Sequence, residues 1–475
     1  MAEVSSIVKT PLIPDHQEFD GETIPSQRGI WRGGDVIEEA KLQLWLAGPL
    51  IAVSLLQYSL QVTSVMFVGH LGELALSSAS MASSFASVTG FSVLLGMGSA
   101  LETLCGQAYG SKQYHMLGVH MQRAMLTLLA VSIPVAVIWF YTSTILMALG
   151  QDHEISTEAG AFNHWMIPSL FAYHSSSSHC GLLGTLFWIR TGNKGVALVI
   201  SISNWVNEVL LACYVQFSST CMNTWTGFSE EALNDIVSFV KLAISSAIMI
   251  CFEYWSFEMV VLLSGLFPNP KLETSVLSIS LNICWMVYMI SVGLGSAIST
   301  RVSNELGAGQ PQGAQLALRV MTAMALLEGA GIATATVLVH FVSGKLYSNE
   351  NEVIVYVARM MPLLAVSDIL DGFQCVLSGA ARGCGWQNLC VVINLGAYYV
   401  VGIPTAVLFA FFLHIGGMGL WMGIICGLLV QVTALVAVNL CTDWHEEVSL
   451  FILLFRATKA ANSVQSTILA IDKAT

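Results

Sequence analysis

The sequence predicts an all-α membrane protein with two parallel lobes of six transmembrane helices each. Its composition, a series of long apolar segments and an internal repeat together predict this fold. Of the 475 residues, 55% are hydrophobic and only 10% are charged, whereas soluble domains carry roughly 25% charged residues. Mean hydropathy is +0.71. One water-soluble core cannot enclose so many apolar side chains, so the chain must lie in lipid.

Long apolar runs account for the helices. A membrane-spanning helix needs about 20 mostly apolar residues, and ten runs qualify. They lie near 46–68, 76–100, 124–149, 195–217, 236–263, 274–298, 318–343, 353–377, 389–413 and 418–440. Two weaker pieces, 159–173 and 180–189, lie between the third and fourth runs. Counting both gives twelve crossings.

An internal repeat relates the two halves. The matched pairs are Leu46 with Leu242, Gly69 with Gly265, Thr103 with Thr300, Gly110 with Gly307, and Pro168 with Pro362. The offset stays between 194 and 197 residues and then rises to 224 where Gly195 matches Gly419. The first copy is therefore about 30 residues shorter between Pro168 and Gly195, roughly one helix and a loop around helices 4–5. Parallel repeats of this kind recur among secondary transporters.

Charge distribution predicts the boundaries and the orientation. Lys112, Arg301 and Arg382 follow segments that end on one side, which the positive-inside rule assigns to the cytosol. Both termini are then cytoplasmic. The predicted parts are a disordered tail 1–40, an N-terminal lobe 41–218, a cytoplasmic linker 219–240, a C-terminal lobe 241–441 and a cytoplasmic tail 442–475.

Several function classes are excluded. The net charge of −12 provides no basic patch, which argues against nucleic acid as a partner. No GxxxxGK[ST], HExxH or GxSxG motif occurs, so we predict no ATPase, protease or esterase and no enzyme activity. His174 and His179 have no further ligand nearby, and we predict neither a metal site nor a cofactor.

Carboxyl groups inside apolar spans are the main functional candidates, because a charge there costs about 2.5–3.5 kcal/mol on insertion scales. Glu253 and Glu258 are five residues apart on one helix and point about 140° away from each other, so one cavity cannot take both. Asp368 and Asp371 are three apart and share a helix face. Gln374 lies on that face as a hydrogen-bond partner for Asp371.

Four separated motifs carry a resemblance to a known family. They are LETLCGQAYG at 101–110, PNPKLETS at 268–275, STRVSNELGAG at 299–309 and GAARGCGWQ at 379–387. Over about residues 40–445 the chain resembles the plant branch of the multidrug and toxic compound extrusion (MATE) family, the detoxification proteins. The resemblance implies two six-helix lobes, proton-coupled antiport and export of organic compounds from the cytosol.

The resemblance also implies site residues. The family glutamate that matches Glu253 and the aspartate that matches Asp371 take part in proton coupling. Glu258, Asp368 and Gln374 are secondary candidates. A carboxyl group in a poorly hydrated cavity holds a proton more readily than in water, and a second carboxylate nearby strengthens this effect. Prokaryotic members often carry an essential aspartate in the first helix. Here the first predicted run, 46–68, has no carboxylate, so the proton site is predicted in the C-terminal lobe.

Polar and aromatic side chains within the spans are candidates for a substrate cavity. They are Gln57, Gln61, Tyr254, Trp255, Asn282, Tyr288, Asn394 and Tyr398. Such a lining suits flat organic compounds, including flavonoids, alkaloids and organic cations. Hydrogen bonding between helices is an equally good interpretation of Asn282, Asn394 and Tyr398.

The leading interpretation is a proton-coupled antiporter that exports xenobiotics or secondary metabolites by alternating access. It would act as a monomer in the vacuolar or plasma membrane, with protons, lipid and small organic substrates as its partners. Two departures from the family leave alternatives open: the shortened region 168–195 and the unmatched segment 449–475. An inactive or regulatory truncated variant is one alternative. A passive channel or flippase on the same fold is the other.

Overall fold

The computed structural model describes residues 33–69, 73–172, 236–347 and 350–449, together with a few positions between 198 and 233. Over these residues, nine helices are long and apolar enough to cross a membrane. They correspond to nine of the ten apolar runs predicted from the sequence, and the all-α membrane fold is confirmed. The run 195–217 and the shortened region beyond 172 lie largely outside the described residues.

The N-terminal lobe contributes five helices to the described part. They are α1 (Gly33–Gly69), α2 (Glu73–Ala86, a π-helical segment Ser87–Phe91, and Ser92–Gly110), α3 (Tyr114–Phe140), α4 (Thr142–Ala148) and α5 (His153–Ala172). Leu128, Trp139 and Phe162 are buried in the core of this lobe. Helix α1 begins at Gly33, inside the predicted tail 1–40. Residues 159–172 of the weak piece 159–173 belong to helix α5.

The C-terminal lobe contains six helices. They are α6 (Ile236–Ser264), α7 (Pro270–Gly307), α8 (Pro311–Tyr347), α9 (Asn351–Cys384), α10 (Gln387–Asn394, Leu395–Gly402, Ile403–Val407 and Leu408–Phe412) and α11 (Gly417–Cys441). Helix α9 is central and packs against α7, α8 and α11. Gly385, with a φ of +85°, ends it in a left-handed C-cap that favours glycine. Helix α6 begins inside the predicted linker 219–240.

Helix α10 departs from α-helical geometry in two π-helical segments, Leu395–Gly402 and Leu408–Phe412. Pro404 lies between them and cannot donate a backbone hydrogen bond. The adjacent helix α11 carries glycines on the face that meets α10. A Cβ atom at Gly423 would lie 2.2 Å from the Cα of Ala406. Helices α10 and α11 therefore pack with their backbones in contact.

The two lobes meet closely at one end of the bundle, where α2 ends at Gly110 and α7 ends at Gly307. We call this the closed end. A Cβ at Gly110 would lie 2.0 Å from the carbonyl oxygen of Asn304, and a Cβ at Gly307 would lie 2.3 Å from that of Gln107. The repeat matches Gly110 with Gly307, and each of these glycines approaches the backbone of the other lobe in the same way, as in a two-fold interface. The repeat is thus a structural two-fold relation between the lobes.

A buried ion pair also joins the lobes at the closed end. The Arg301 guanidinium donates to both oxygens of Glu39, at 3.0 and 2.8 Å, and lies 2.7 Å from Glu305. Gln43 donates to the carbonyl of Ala317 at 2.8 Å. The start of α1 is therefore tied to the C-terminal lobe. The sequence predicts that Arg301 follows its membrane-spanning segment, and this is wrong: Arg301 is a buried residue within α7.

The described chain continues beyond α11. Residues 444–449 are helical, and Trp444 and Val448 are buried in the core that contains parts of α7, α8 and α9. The indole nitrogen of Trp386 donates to Glu447 at 3.3 Å. The start of the predicted tail 442–475 is therefore part of the packed structure.

Candidate functional site

Helices α6, α7 and α9 enclose a small cavity in the C-terminal lobe. Its lining consists of two carboxyl groups, one tyrosine and an otherwise apolar wall: Glu253, Asp371, Tyr288, Phe257, Leu281, Cys284 and Trp285. The free space is about that of one water molecule, far too little for an organic compound. The structure thus brings together the two carboxyl residues that the sequence singled out.

Glu253 has a hydrogen-bond partner on each carboxylate oxygen. The Tyr288 hydroxyl donates to Oε1 at 2.8 Å, and the Gln374 amide donates to Oε2 at 3.1 Å. The same amide nitrogen lies 3.1 Å from the Ser378 hydroxyl, one turn further along α9. Gln374 was predicted as a partner of Asp371 and instead contacts Glu253. Tyr288, predicted to bind substrate, is a partner of the carboxyl group.

Asp371 is buried with few polar contacts. Only 4% of its surface is exposed. The Cys284 thiol lies 3.9 Å from Oδ2, and Oδ1 has no hydrogen-bond partner. A thiol is a weak donor, so an ionised carboxylate with this one partner is costly in an apolar environment, and such groups take up a proton rather than remain charged. This arrangement is chemically suited to reversible proton binding.

Two further carboxyl groups lie close to this cavity. Asp368 is one turn from Asp371 on α9, and its Oδ2 is also buried without a partner. Glu328 on α8 accepts a hydrogen bond from Ser291 at 3.1 Å and lies against Gly372. The predicted common face of Asp368 and Asp371 is therefore turned towards α7 and α8. Among the described residues, no cluster of His, Cys, Asp and Glu could hold a metal ion.

Glu258 lies on the other side of α6, as its spacing from Glu253 requires. Its carboxylate bonds to Ser84 on α2 and interacts electrostatically with Tyr58 on α1. The Tyr58 hydroxyl donates to Asn282 on α7 at 3.1 Å. These two contacts join the lobes, and the Ser84 and Asn282 side chains beside them are exposed. We call Tyr58, Ser84, Glu258 and Asn282 the inter-lobe cleft.

The other predicted cavity residues have different environments. Asn394 and Tyr398 are buried and joined through Gln431: Tyr398 donates to it at 2.8 Å, and it donates to Asn394 at 2.8 Å. They lie in a helix–helix contact between α10 and α11. Trp255 donates to the Val88 carbonyl at 3.0 Å, which links α6 to α2.

Three predicted substrate residues remain. The Tyr254 ring packs against Trp285 with centroids 4.5 Å apart. Gln57 and Gln61 lie on α1, and their side chains are outside the described part of the structure.

Sequence reasoning missed a polar cluster at the closed end. The Arg382 Nε lies 3.6 Å from Oε2 of Glu102, and Ser296 donates to Oε1 of Glu102 at 3.1 Å. The Thr103 hydroxyl donates to the Arg382 carbonyl at 2.6 Å and accepts from Gln387 at 3.0 Å. The sequence predicts that Arg382 follows its membrane-spanning segment, which is wrong because Arg382 belongs to α9. The spacing from Asp371 through Gln374 and Ser378 to Arg382 marks one helix face and could have identified it.

Comparisons with known proteins agree with this architecture. The MatE family model matches residues 49–191 and 245–408, one match in each lobe. Protein DETOXIFICATION 16 of Arabidopsis thaliana is 53% identical, covering 92% of this chain and 93% of its own. Protein DETOXIFICATION 17 of the same plant is 52% identical, covering 91% and 94%.

Solved structures show the same fold. The crystal structure of the eukaryotic MATE transporter AtDTX14 superposes with a TM-score of 0.83 at 42% identity, covering 88% of this chain and 98% of that one. The structure of the D35N mutant of the Vibrio cholerae MATE transporter VcmN is similar in fold only, with a TM-score of 0.75 at 16% identity. Both solved structures are those of MATE transporters. The chain therefore belongs to the MatE family and is a multi-pass membrane transporter of that family.

Proposed function

We propose that the chain is a proton-coupled antiporter that exports organic compounds from the cytosol by alternating access. Glu253 and Asp371 are the proposed binding groups for the coupling proton. The observation that carries this proposal is the single small cavity that both carboxyl groups line. A space the size of one water molecule admits a proton and its hydration but no organic compound.

The proposed coupling follows from the charges in this cavity. Two carboxylates close together cannot both ionise without a large cost, so the pair binds and releases a proton as a unit. Proton binding changes the charge between α6, α7 and α9. That change biases the lobe between two shapes. Pro362 lies within α9 and frees a backbone carbonyl, so the helix can bend there.

Organic substrate is proposed to bind in the inter-lobe cleft. Glu258 offers a carboxylate, Tyr58 an aromatic ring and Asn282 an amide, from three different helices. A cation is favoured by both a carboxylate and an aromatic face. Organic cations and protonated alkaloids are therefore the preferred substrate class, with flavonoids held by the rings. Proton and substrate would then occupy separate sites on the two sides of α6.

The proposed topology places both termini in the cytosol. The closed end, which contains Arg301, then faces the cytosol, and the inter-lobe cleft is open towards the vacuolar lumen or the outside. The described conformation is the outward-facing one under this assignment. The protein is proposed to act as a monomer in the vacuolar or plasma membrane.

The experiment is gradient-driven uptake in liposomes. The purified protein is reconstituted, a pH gradient is imposed, and uptake of a fluorescent organic cation is followed. We expect collapse of the gradient, Glu253→Gln and Asp371→Asn each to abolish concentrative uptake. Glu273→Gln is the matched control, because this carboxylate of the same lobe accepts hydrogen bonds from Tyr356 and Gly417 outside the cavity. It should retain gradient dependence.

The outcomes separate the alternatives. Undiminished concentrative uptake in both cavity variants contradicts the proposed proton site. Uptake that only equilibrates the probe and ignores the pH gradient indicates a passive channel. Movement of labelled lipid between leaflets indicates a flippase. No transport by the unaltered chain indicates an inactive or regulatory variant.

A further inference from the structure

A stripe of polar side chains on α9 connects the carboxyl cavity with the closed end. Asp371, Gln374, Ser378 and Arg382 follow one another at spacings of three or four residues and therefore share one helix face. The stripe is about 16 Å long at 1.5 Å per residue. Gln374 contacts Glu253 at one part of the stripe, and Arg382 reaches Glu102 of the other lobe at its end.

Arg382 interacts electrostatically with two carboxyl groups on different lobes, Glu102 and Glu253. Its Nε is 3.6 Å from Oε2 of Glu102, longer than a hydrogen bond, and both atoms are buried without hydrogen-bond partners. The guanidinium also interacts electrostatically with Glu253 on α6. Gln374, on the same face of α9 as Arg382, donates to Glu253. The negative charge of Glu102 beside Arg382 partly offsets the electrostatic effect of the guanidinium on Glu253.

The titratable groups that face Arg382 come from five helices. They are Glu102 on α2, Glu253 on α6, Tyr288 on α7, Cys375 on α9 and Cys390 on α10. Tyrosine and cysteine side chains are ordinarily neutral at pH 7, so among these groups only the two glutamates can carry a negative charge. One guanidinium is thus shared between a carboxylate of each lobe.

We infer that Arg382 is a positioning residue that links proton release at Glu253 to opening of the closed end. While the lobes are in contact there, Glu102 takes up part of the guanidinium charge, and Glu253 holds its proton. When the lobes separate, Glu102 leaves with α2. Arg382 then neutralises Glu253 alone, and the proton is released. This inference rests on the proposed role of Glu253 in binding the coupling proton.

The closed end contains the contacts that this link requires. Ser296 of the C-terminal lobe donates to Glu102, and Thr103, next to Glu102, donates to the Arg382 carbonyl at 2.6 Å. Both hydrogen bonds cross between the lobes. Separation of the lobes therefore breaks both bonds and at the same time moves Glu102 away from Arg382. Coupling between two sites is reciprocal: if opening favours proton release, proton binding favours closure of this end. Couplings of this kind typically change an equilibrium about 5- to 150-fold.

The test measures how gradient-driven uptake in liposomes depends on the pH of the proton-loading side. In Glu102→Gln, Arg382 stabilises ionised Glu253 in every conformation. Uptake should therefore need an about tenfold higher proton concentration. The midpoint, which is the pH of the proton-loading side at which uptake is half-maximal, should fall by about one pH unit. Arg382→Gln removes the group that stabilises ionised Glu253, so the midpoint should rise by a similar amount. Shifts in opposite directions are not expected from loss of a merely structural contact.

Matched variants separate the link from general weakening of the closed end. Glu39→Gln breaks the other inter-lobe ion pair, with Arg301, which has no contact with the cavity, and it should leave the midpoint unchanged. Arg382→Lys keeps the charge and should keep the midpoint close to that of the unaltered protein. If Glu102→Gln does not fold, Glu102→Asp draws the carboxylate back by one methylene and should give a smaller downward shift.

Two results overturn the inference: midpoints of the Glu102 and Arg382 variants that move in the same direction, or a Glu102 variant that behaves like Glu39→Gln. Failure of the proposed function looks different. In that case uptake by the unaltered protein does not depend on the pH gradient, or Glu253→Gln retains gradient-driven uptake. A gradient-dependent protein that loses activity in Glu253→Gln but keeps its midpoint in Glu102→Gln contradicts only the role of Arg382.

Discussion

Replacement of Gly96 by alanine should separate α2 from α6 and destabilise the protein. A Cβ at Gly96 would lie 2.5 Å from the Cα of Ala247 and 3.0 Å from the carbonyl oxygen of Ser246. Both neighbours are backbone atoms, which cannot rotate away. The helices would have to move apart by about 0.9 Å to restore ordinary contact, and overpacking of this kind costs about 1–3 kcal/mol.

Gly98→Ala is the matched control, two residues along the same helix. A Cβ there has no atom within 4 Å, and removing a helical glycine stabilises by about 0.5–1 kcal/mol. Both changes bring the same gain in helix propensity, so the difference between them isolates the contact with α6. Thermal unfolding of the purified proteins in detergent measures it. Equal unfolding midpoints for the two variants would refute the contact as described.

Other substitutions test the helix contacts and the cleft. Asn394→Leu should cost about 1–3 kcal/mol of unfolding free energy, because Gln431 and the Met249 carbonyl lose a buried partner; an unchanged unfolding midpoint contradicts this. Trp444→Ala should lower the unfolding midpoint through a loss of about 3–5 kcal/mol; an unchanged midpoint contradicts the packing of the segment after α11. Glu258→Gln should reduce uptake of a cationic probe about tenfold, equivalent to 1.4 kcal/mol, with a neutral probe unaffected; equal losses for both probes argue against charge recognition.

The spanning helices were predictable because length and apolarity are local properties of the sequence. The ends of these helices were less predictable, because their partners are remote. The segment that contains Asp35 and Glu39 is polar and was interpreted as a tail. It is helical because Glu39 finds Arg301 in the other lobe. Trp444 likewise becomes ordered through packing against the C-terminal lobe.

The candidate site was predictable in its carboxyl groups and unpredictable in its amides. A carboxyl group within a span is costly wherever it points, so Glu253 and Asp371 stood out. An amide such as Asn394 is satisfied equally well by a cavity or by a neighbouring helix. Gln431 on α11 decides between these environments, and no local pattern reveals that pairing. Arg382 was overlooked because an arginine near a helix end satisfies the positive-inside rule without any other role.

The ion pair between Glu39 and Arg301 has a consequence for biosynthesis. The two residues are 262 positions apart, and ribosomes add about 5–20 residues per second. Arg301 is therefore synthesised roughly 10–50 s after Glu39. During that interval the first helix can enter the bilayer but cannot complete its contacts. Final assembly of the first lobe depends on emergence of the second, so a ribosome that stalls between the lobes leaves an acidic helix end exposed to quality control.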